Sequence, residues 1–478
     1  MAARNRARDV SLASRSPAQR LEAGRALREK IPRKSHGGWM APRNRPDPIQ
    51  LLKDSDQGRI AELLPIRYGR MLGDPFKFLR GAAAIMAADL APTPVTGLRV
   101  QACGDCHIMN FGAFATPERN LIFDVNDFDE TLPAPWEWDV KRLTASIEVA
   151  ARTARFKSQD RERVVRAAVR SYREQMARYA AMPVLEVWYE RIDLEPLVKN
   201  IPKDVDRDRT RKEIVKAHRK NLPVHIALSV TGDAAKARIR DEPPLIFHQP
   251  RHRNAAYRDR IIDALKRYRG SLAPPYRVLF DRFQFRDLAL KVVGIGSVGT
   301  YCEVALFMAG GGEPLFLQIK EARPSVLEPY AGASHLATAG ERVVVGQRLM
   351  QAASDILLGW TTGIDSDRHF YIRQLRDMKV PMPVDTRDPS DLGYFAKACG
   401  WALARAHARS GDPAMIAGYL GSSDAFDDAI TMFAADYADQ TQRDYEALVN
   451  AVKAGQIVAR TESEPPHTSL TSPGARTI

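Results

Sequence analysis

The stretch Cys103–Gly112, CGDCHIMNFG, admits three chemistries. Cys103-Gly-Asp-Cys106-His107 has the C-x-x-C-H spacing of c-type haem attachment, and Cys103 with Cys106 alone has the spacing of a redox dithiol. Between and after the thiols, Asp105 and Asn110 place two oxygen-bearing side chains five residues apart on one segment. The four cysteines (Cys103, Cys106, Cys302, Cys399) are too few and too scattered for a disulfide framework in a chain of 478 residues. The N-terminal MAARNRARDVSLASRS is basic but lacks the apolar core of a secretory signal, so a cytoplasmic protein is expected and haem attachment is not. A redox pair wants a βαβ context, which the surrounding sequence lacks. Asp105 and Asn110 are therefore the informative residues, and Cys103 and Cys106 are expected to pack beside them.

What lies downstream suggests the chemistry. Phosphoryl transfer asks for a carboxylate beside the attacking hydroxyl and for oxygen ligands to Mg²⁺. Asp105 suits the first task and Asn110 the second. The acidic run Asn120-Leu-Ile-Phe-Asp-Val-Asn-Asp-Phe-Asp-Glu130 supplies further metal candidates. Asp127 lies seventeen residues past Asn110, Asp124 fourteen, and Asp129 is a third choice. Asp124, Asp127, Asp129 and Glu130 crowd into seven residues, where like charges repel unless a cation sits among them. A divalent metal is the simplest expectation, with Asp124 and Asp127 as rivals for the main ligand. Asp139, in Trp136-Glu-Trp-Asp139-Val-Lys-Arg-Leu, opens a helix and is placed to brace the loop.

A second motif lies far along the chain. GIGSVG carries Gly294, Gly296, Ser297 and Gly299. Dinucleotide folds follow such a run with a helix. Here Thr300-Tyr-Cys-Glu-Val-Ala-Leu-Phe-Met reads as a strand, and strand, glycine loop, strand is the arrangement kinases use over ATP phosphates. It calls for a lysine on the next strand, and Lys320 ends Leu315-Phe-Leu-Gln-Ile-Lys320. It calls for a glutamate on the following helix, and Glu341 begins one. Glu321 and Glu328 are rivals for that task.

Composition is ordinary for a globular protein, at 45% hydrophobic and 27% charged, and no apolar run approaches the ~20 residues of a membrane span. The net charge of +13 is uneven: residues 1–45 hold twelve Lys/Arg against three Asp/Glu. Residues 1–47 read as a basic, disordered tail, the only part suited to nucleic acid. Residues 48–280 read as a helical lobe with the catalytic and metal loops, including helices over 75–90 and 136–155. Residues 281–380 read as a β-rich lobe with a Gly310–Gly312 hairpin, a helix from Ala339 to Trp360 and a strand over 369–375. Residues 381–458 return to helix, and 459–478 have a tail's composition. The class is α+β, with a small sheet-bearing lobe and a larger helical one.

Gly104-Asp105-x-His107-x-x-Asn110, then Asp127-Phe-Asp-Glu, then Trp138-Asp139-x-x-Arg142-Leu together resemble the aminoglycoside/choline phosphotransferase branch of the bilobal protein-kinase-like fold. The resemblance implies ATP and Mg²⁺, with Asp105 as base, Asn110 and Asp127 on metal, and Asp139 as a structural aspartate. The order differs, because kinases place the glycine loop, lysine and glutamate before the catalytic loop. A circularly permuted kinase-like fold is therefore expected, cut before the catalytic loop, with Lys320 facing Asp127 across one cleft. His407-x-x-x-Gly411-Asp412 imitates the motif in the usual place but lacks the asparagine. RGAAAIMAADLA, CGDCHIMNFG, FDVNDFDETLPAPWEWDVKRL, VVGIGSVGT, QRLMQAASDILLGW and RQLRDMK also resemble the uncharacterised bacterial domain-of-unknown-function 2252 family. The expected activity is phosphoryl transfer from ATP to an unidentified small-molecule or protein hydroxyl. Nucleotidyl transfer and a non-catalytic, nucleotide-binding scaffold are the alternatives.

Overall fold

The computed structural model describes residues 15–200, 230–231, 236–364, 368–375 and 388–460. The charged stretch 204–220, the first fourteen residues and the expected tail from 461 onward lie outside the described residues. What is described is a mixed α+β protein with a small sheet region and a large helical part.

The expected basic tail is folded from Ser16 onward. Ser16 caps helix α1 (Pro17–Lys30) in a reciprocal box with Gln19. α1 crosses α8 (Pro413–Leu420) at Gly24 and Gly418, where an added Cβ would meet backbone atoms at 2.0 and 2.1 Å. Only glycine allows so close an approach. Arg28 and Arg33 then donate to the terminal carbonyls of α8, where the helix dipole favours cations. Arg45 forks onto Asp89 and Asp444 at 2.6–2.8 Å. Part of the basic excess is thus spent inside the fold.

The expected helix over 75–90 is two, α2 (Pro75–Gly81) and α3 (Ala83–Leu90), with Ala82 out of helical geometry between them. Two short antiparallel ladders follow. Strand β1 (Arg99–Ala102) pairs with β4 (Leu132–Pro135), and between them β2 (Phe111–Ala115) pairs with β3 (Leu121–Val125). Helix α4 (Trp136–Thr153) leaves β4 directly and is buried along nearly its whole length. Helices α5 (Ser158–Ala181), α7 (Pro389–Ser410), α8 and α9 (Ala425–Lys453) pack around it in one large apolar core.

Among the described residues the largest sheet has six antiparallel strands. In spatial order they are β9 (Gly359–Thr362), β10 (His369–Gln374), β8 (Pro314–Ala322), β7 (Cys302–Ala309), β6 (Phe283–Lys291) and β5 (Ile246–Phe247). β6, the glycine loop and β7 run strand–loop–strand as expected, and Gly312 closes the β7–β8 hairpin with φ +87°. The helix Ala255–Ser271 packs on this sheet, so the β-rich part extends upstream of residue 281. The expected helix from Ala339 to Trp360 stops at Met350 (α6, Ala339–Met350). Asp355 forms a turn there, accepting from Leu357 N at 2.8 Å, and Gly359 opens a strand.

One buried ion pair ties these parts together. Asp124 on β3 accepts twice from Arg405 Nη2 of α7, at 2.8 and 2.7 Å, and from Ala352 N past the end of α6 at 2.9 Å. The same Nη2 donates to the Met350 carbonyl at 2.7 Å. Both side chains are sealed, at 0% and 1% exposure. Asp124→Ala leaves a buried guanidinium uncompensated and is expected to cost about 3–5 kcal/mol. Replacing both, as Asp124→Leu with Arg405→Met, is expected to cost markedly less. Urea unfolding followed by tryptophan fluorescence measures both.

Candidate functional site

The two short ladders set the site. β1 and β4 end together at Ala102 and Leu132, and β2 and β3 begin and end together at Phe111 and Val125. The loops they leave, 103–110 and 126–131, are forced side by side. Asn126 N donates to the Asn110 carbonyl at 2.8 Å, zipping one to the other.

The loop 103–110 is held from beneath by Asp139, in the first turn of α4. Its carboxylate accepts from Cys103 N at 2.6 Å and Gly104 N at 3.0 Å. His407 Nε2 of α7 donates to the same carboxylate at 3.1 Å, and its Nδ1 accepts from the Tyr172 hydroxyl at 2.8 Å. One histidine tautomer serves both contacts. Gly104 has φ +86°, and a Cβ there would stand 2.3 Å from the Glu130 carbonyl oxygen. Only glycine satisfies both demands. Asp139 thus braces the loop as expected. The look-alike at Asp412 is an N-cap, accepting from Ala414 and Met415 N–H.

Asp105 stands on this braced loop with its Oδ1 gripped by Arg142, from Nε at 3.0 Å and Nη2 at 2.6 Å. Arg142 is itself buried and also donates to the Leu79 carbonyl. Asp105 Oδ2 lies 3.8 Å from His107 Nε2, beyond hydrogen-bond reach. Asn110 donates its Nδ2 to the Asp105 carbonyl at 2.7 Å, committing the donor end of its amide. Burial, with Arg80 and Arg142 nearby, pushes the His107 imidazole down to about 4.

The acidic run is not one cluster. Asp124 is sealed against Arg405, away from solvent, so the structure removes it as a metal candidate. Asp129 is ion-paired to Lys320 and accepts from the Tyr371 hydroxyl at 2.8 Å. Glu130 accepts from Val326 N at 2.7 Å with Arg342 near, and burial pushes its carboxyl up to about 7. Each carboxylate has its own partner, so mutual repulsion does not demand a metal. Among the described residues no group of three or more His, Cys, Asp or Glu forms a ready metal site. Asp127 Oδ1 accepts from Asp129 N, and its side chain lines the cavity.

Lys320 reaches this place from β8. Burial alone would depress its ammonium, but Asp127 and Asp129 more than offset that and hold it well above the usual lysine range. Its carboxylate partner is Asp129. Glu341 is not: its carboxylate turns back to accept from Ala337 N at 3.2 Å, and its own N–H donates to the capping Thr338 hydroxyl at 3.0 Å. Glu321 faces Arg368, and Glu328 accepts from Ser325 N. The sequence spacing pointed to a helix glutamate, but a carboxylate from the Asp129 loop arrives first.

A cavity of about 180 Å³ joins these elements. Asp105, Asn110, Asp127 and Asp129 line it together with Gly294, Gly296 and Ser297 of the glycine loop. Gly299 lies behind, its carbonyl accepting from Ile60 N at 2.7 Å. Sequence reasoning missed the arginines. Arg142 stood inside the quoted Trp138–Leu143 motif and Arg80 at the head of RGAAAIMAADLA, but nothing in one sequence marks a guanidinium's partner.

The chain is therefore an α+β protein in which an acidic loop pair and a glycine loop line one cavity. Residues 59–451 match the family described as "Uncharacterized protein conserved in bacteria (DUF2252)", and the chain belongs to it. No curated protein and no solved structure matches it.

The thiols report on the brace. Cys103, Cys106, Cys302 and Cys399 are all buried and unpaired, and burial raises the Cys106 thiol well above its usual range. Native protein is expected to resist a disulfide-exchange reagent such as dithionitrobenzoate, with all four thiols reacting after denaturation. Asp139→Ala strands two buried N–H groups at about 1–3 kcal/mol each. It is expected to make Cys103 and Cys106 react without denaturant.

Proposed function

We propose that this protein is an ATP- and Mg²⁺-dependent phosphotransferase acting on a hydroxyl acceptor, built on a circularly permuted kinase-like fold. One observation carries the reading. Asp105, Asn110 and Asp127 share a cavity with Gly294, Gly296 and Ser297, although some 170 residues separate the two sets in the chain. Lys320 stands beside Asp127 and Asp129, which is where a permuted order of kinase elements brings its strand lysine. Asp139 and His407 brace the acidic loop from two helices, as a transfer site that works by positioning requires.

In this reading Arg142 holds Asp105 Oδ1, which leaves Oδ2 for the acceptor hydroxyl. Oδ2 takes the hydroxyl proton as the acceptor oxygen bonds to the γ-phosphorus and the bond to ADP breaks. Lys320 and the backbone of the glycine loop hold phosphate oxygens. The donor set suits magnesium: one amide oxygen and one carboxylate, Asn110 and Asp127, with the remaining positions left for phosphate and water. A bound Mg²⁺ supplies charge neutralisation for the phosphates. Lys320 paired to Asp129 rather than to a helix glutamate departs from the kinase pattern.

Incubation with ATP labelled at the γ position, with Mg²⁺ and a metabolite extract as acceptor source, tests this. Label transfer or hydrolysis by wild type is expected, falling about 100-fold or more in Asp105→Ala and Asp127→Ala. Label appearing in product only from α-labelled ATP, with pyrophosphate released, means nucleotidyl transfer instead. ATP binding with no turnover means a non-catalytic scaffold.

A further inference from the structure

The arginines around the cavity are not alike. Arg59 donates Nη1 to the Gly296 and Val298 carbonyls at 2.8 and 2.7 Å. Arg67 pairs with Asp56 at 3.0 Å and donates to the Gly81 carbonyl at 3.0 Å. Arg323 donates to the Ser55 and Gln57 carbonyls at 3.0 and 2.6 Å. These three guanidinium groups are occupied in holding the glycine loop and its surroundings.

Arg80 is different. It lies in the last turn of α2 and lines the cavity, yet its guanidinium makes no hydrogen bond to any described residue, and its Nε is buried without an acceptor. Burial depresses its charged form, and the carboxylates that act against this are Asp105 and Asp74. Neither bonds to Arg80: Asp105 gives its Oδ1 to Arg142 at 2.6 Å, and Asp74 pairs with Lys77 at 3.1 Å. Its backbone is fixed against the glycine loop, with a Cβ on Gly296 falling 3.2 Å from the Arg80 carbonyl. Beside it, His107 is 4% exposed and its Nδ1 has no partner either. An arginine kept partly buried, with its Nε sealed and unpaired, costs stability, and a planar oxyanion taken by its fork of donors offsets that cost.

The position chooses what the oxyanion belongs to. The carboxylates acting on Lys320 are Asp127 and Asp129, while those acting on Arg80 are Asp105 and Asp74. Arg80 lines the cavity together with Asp105, whereas Lys320 stands behind the cavity wall, paired to Asp129, which lines it with Asp127. We propose that Arg80 binds an oxyanion on the acceptor, so that the substrate is a small hydroxyl compound carrying a phosphate or carboxylate group. This rests on the phosphotransferase reading: the nucleotide takes the part of the cavity lined by Asp127 and Asp129, and the acceptor places its anion on Arg80 and its hydroxyl on Asp105.

The test uses the full chain without nucleotide. Calorimetry measures binding of inorganic phosphate and, separately, malonate to wild type, Arg80→Gln and Arg80→Lys, and binding of ATP with Mg²⁺ to the same proteins. Wild type is expected to bind one probe at a single site, and the better probe tells phosphate from carboxylate. Arg80→Gln is expected to weaken it at least about tenfold. Arg80→Lys, which keeps the charge without the fork, is expected to fall between. ATP binding is expected to change by less than about threefold. The proposal is overturned if neither probe binds wild type, or if Arg80→Gln and Arg80→Lys both bind as wild type does. Equal loss of probe and ATP binding in a folded Arg80→Lys places Arg80 at the nucleotide and also overturns it. Absence of ATP binding to wild type, with probe binding intact, sinks the phosphotransferase reading and the acceptor role with it, leaving Arg80 as an anion site alone.

Discussion

The Asp139 carboxylate is the constraint on which the cavity depends. It accepts from two successive backbone N–H groups, of Cys103 and Gly104, and from His407 on a different helix. Such a contact cannot be made to a loop in any other shape, because both N–H groups must point the same way. Gly104 supplies the positive φ that turns them so, and α4 supplies the carboxylate from a fully buried first turn. Everything the loop presents to the cavity, Asp105 above all, inherits its position from this brace. The negative charge in the first turn also suits the positive end of the helix dipole.

The electrostatics of the region are a partition of charges. Four acidic side chains within seven residues face different cations or backbone donors: Asp124 meets Arg405, Asp127 meets Asp129 N, Asp129 meets Lys320, and Glu130 meets Arg342 and Val326 N. Those partners come from α7, β8 and α6, so helical core and sheet are fastened through this run. The partition also decides what is left for chemistry. Asp127 remains on the cavity wall with Asp105 and Asn110, while Asp124 becomes part of the core.

Much of this was legible in the sequence. The glycine loop between two strands, the Gly310–Gly312 hairpin and the helix from Trp136 follow from period and turn chemistry, which are local. The pairing of Asp105 with Asn110 and the bracing by Asp139 were also legible, because spacing along one loop and one helix start fixes them. The misread parts have tertiary causes. Helix α6 stops at Met350, where Arg405 takes the Met350 carbonyl and Asp124 takes Ala352 N, although the apolar pattern runs on to Trp360. The basic N-terminal segment folds because Gly24 and Gly418 let α1 close on α8, and composition contains no sign of that crossing.

By itself the sequence determined which residue types share a loop and which strands flank the glycines, since both depend only on neighbours in the chain. Which carboxylate meets which cation was decided by the tertiary structure alone. Lys320 stands 191 residues from Asp129 and Arg405 stands 281 from Asp124. Charges find partners by distance in space, and at such separations only the packing of α4, α7 and the sheet sets that distance. The same packing left Glu341 facing its own helix start and Arg80 with an open guanidinium beside Asp105.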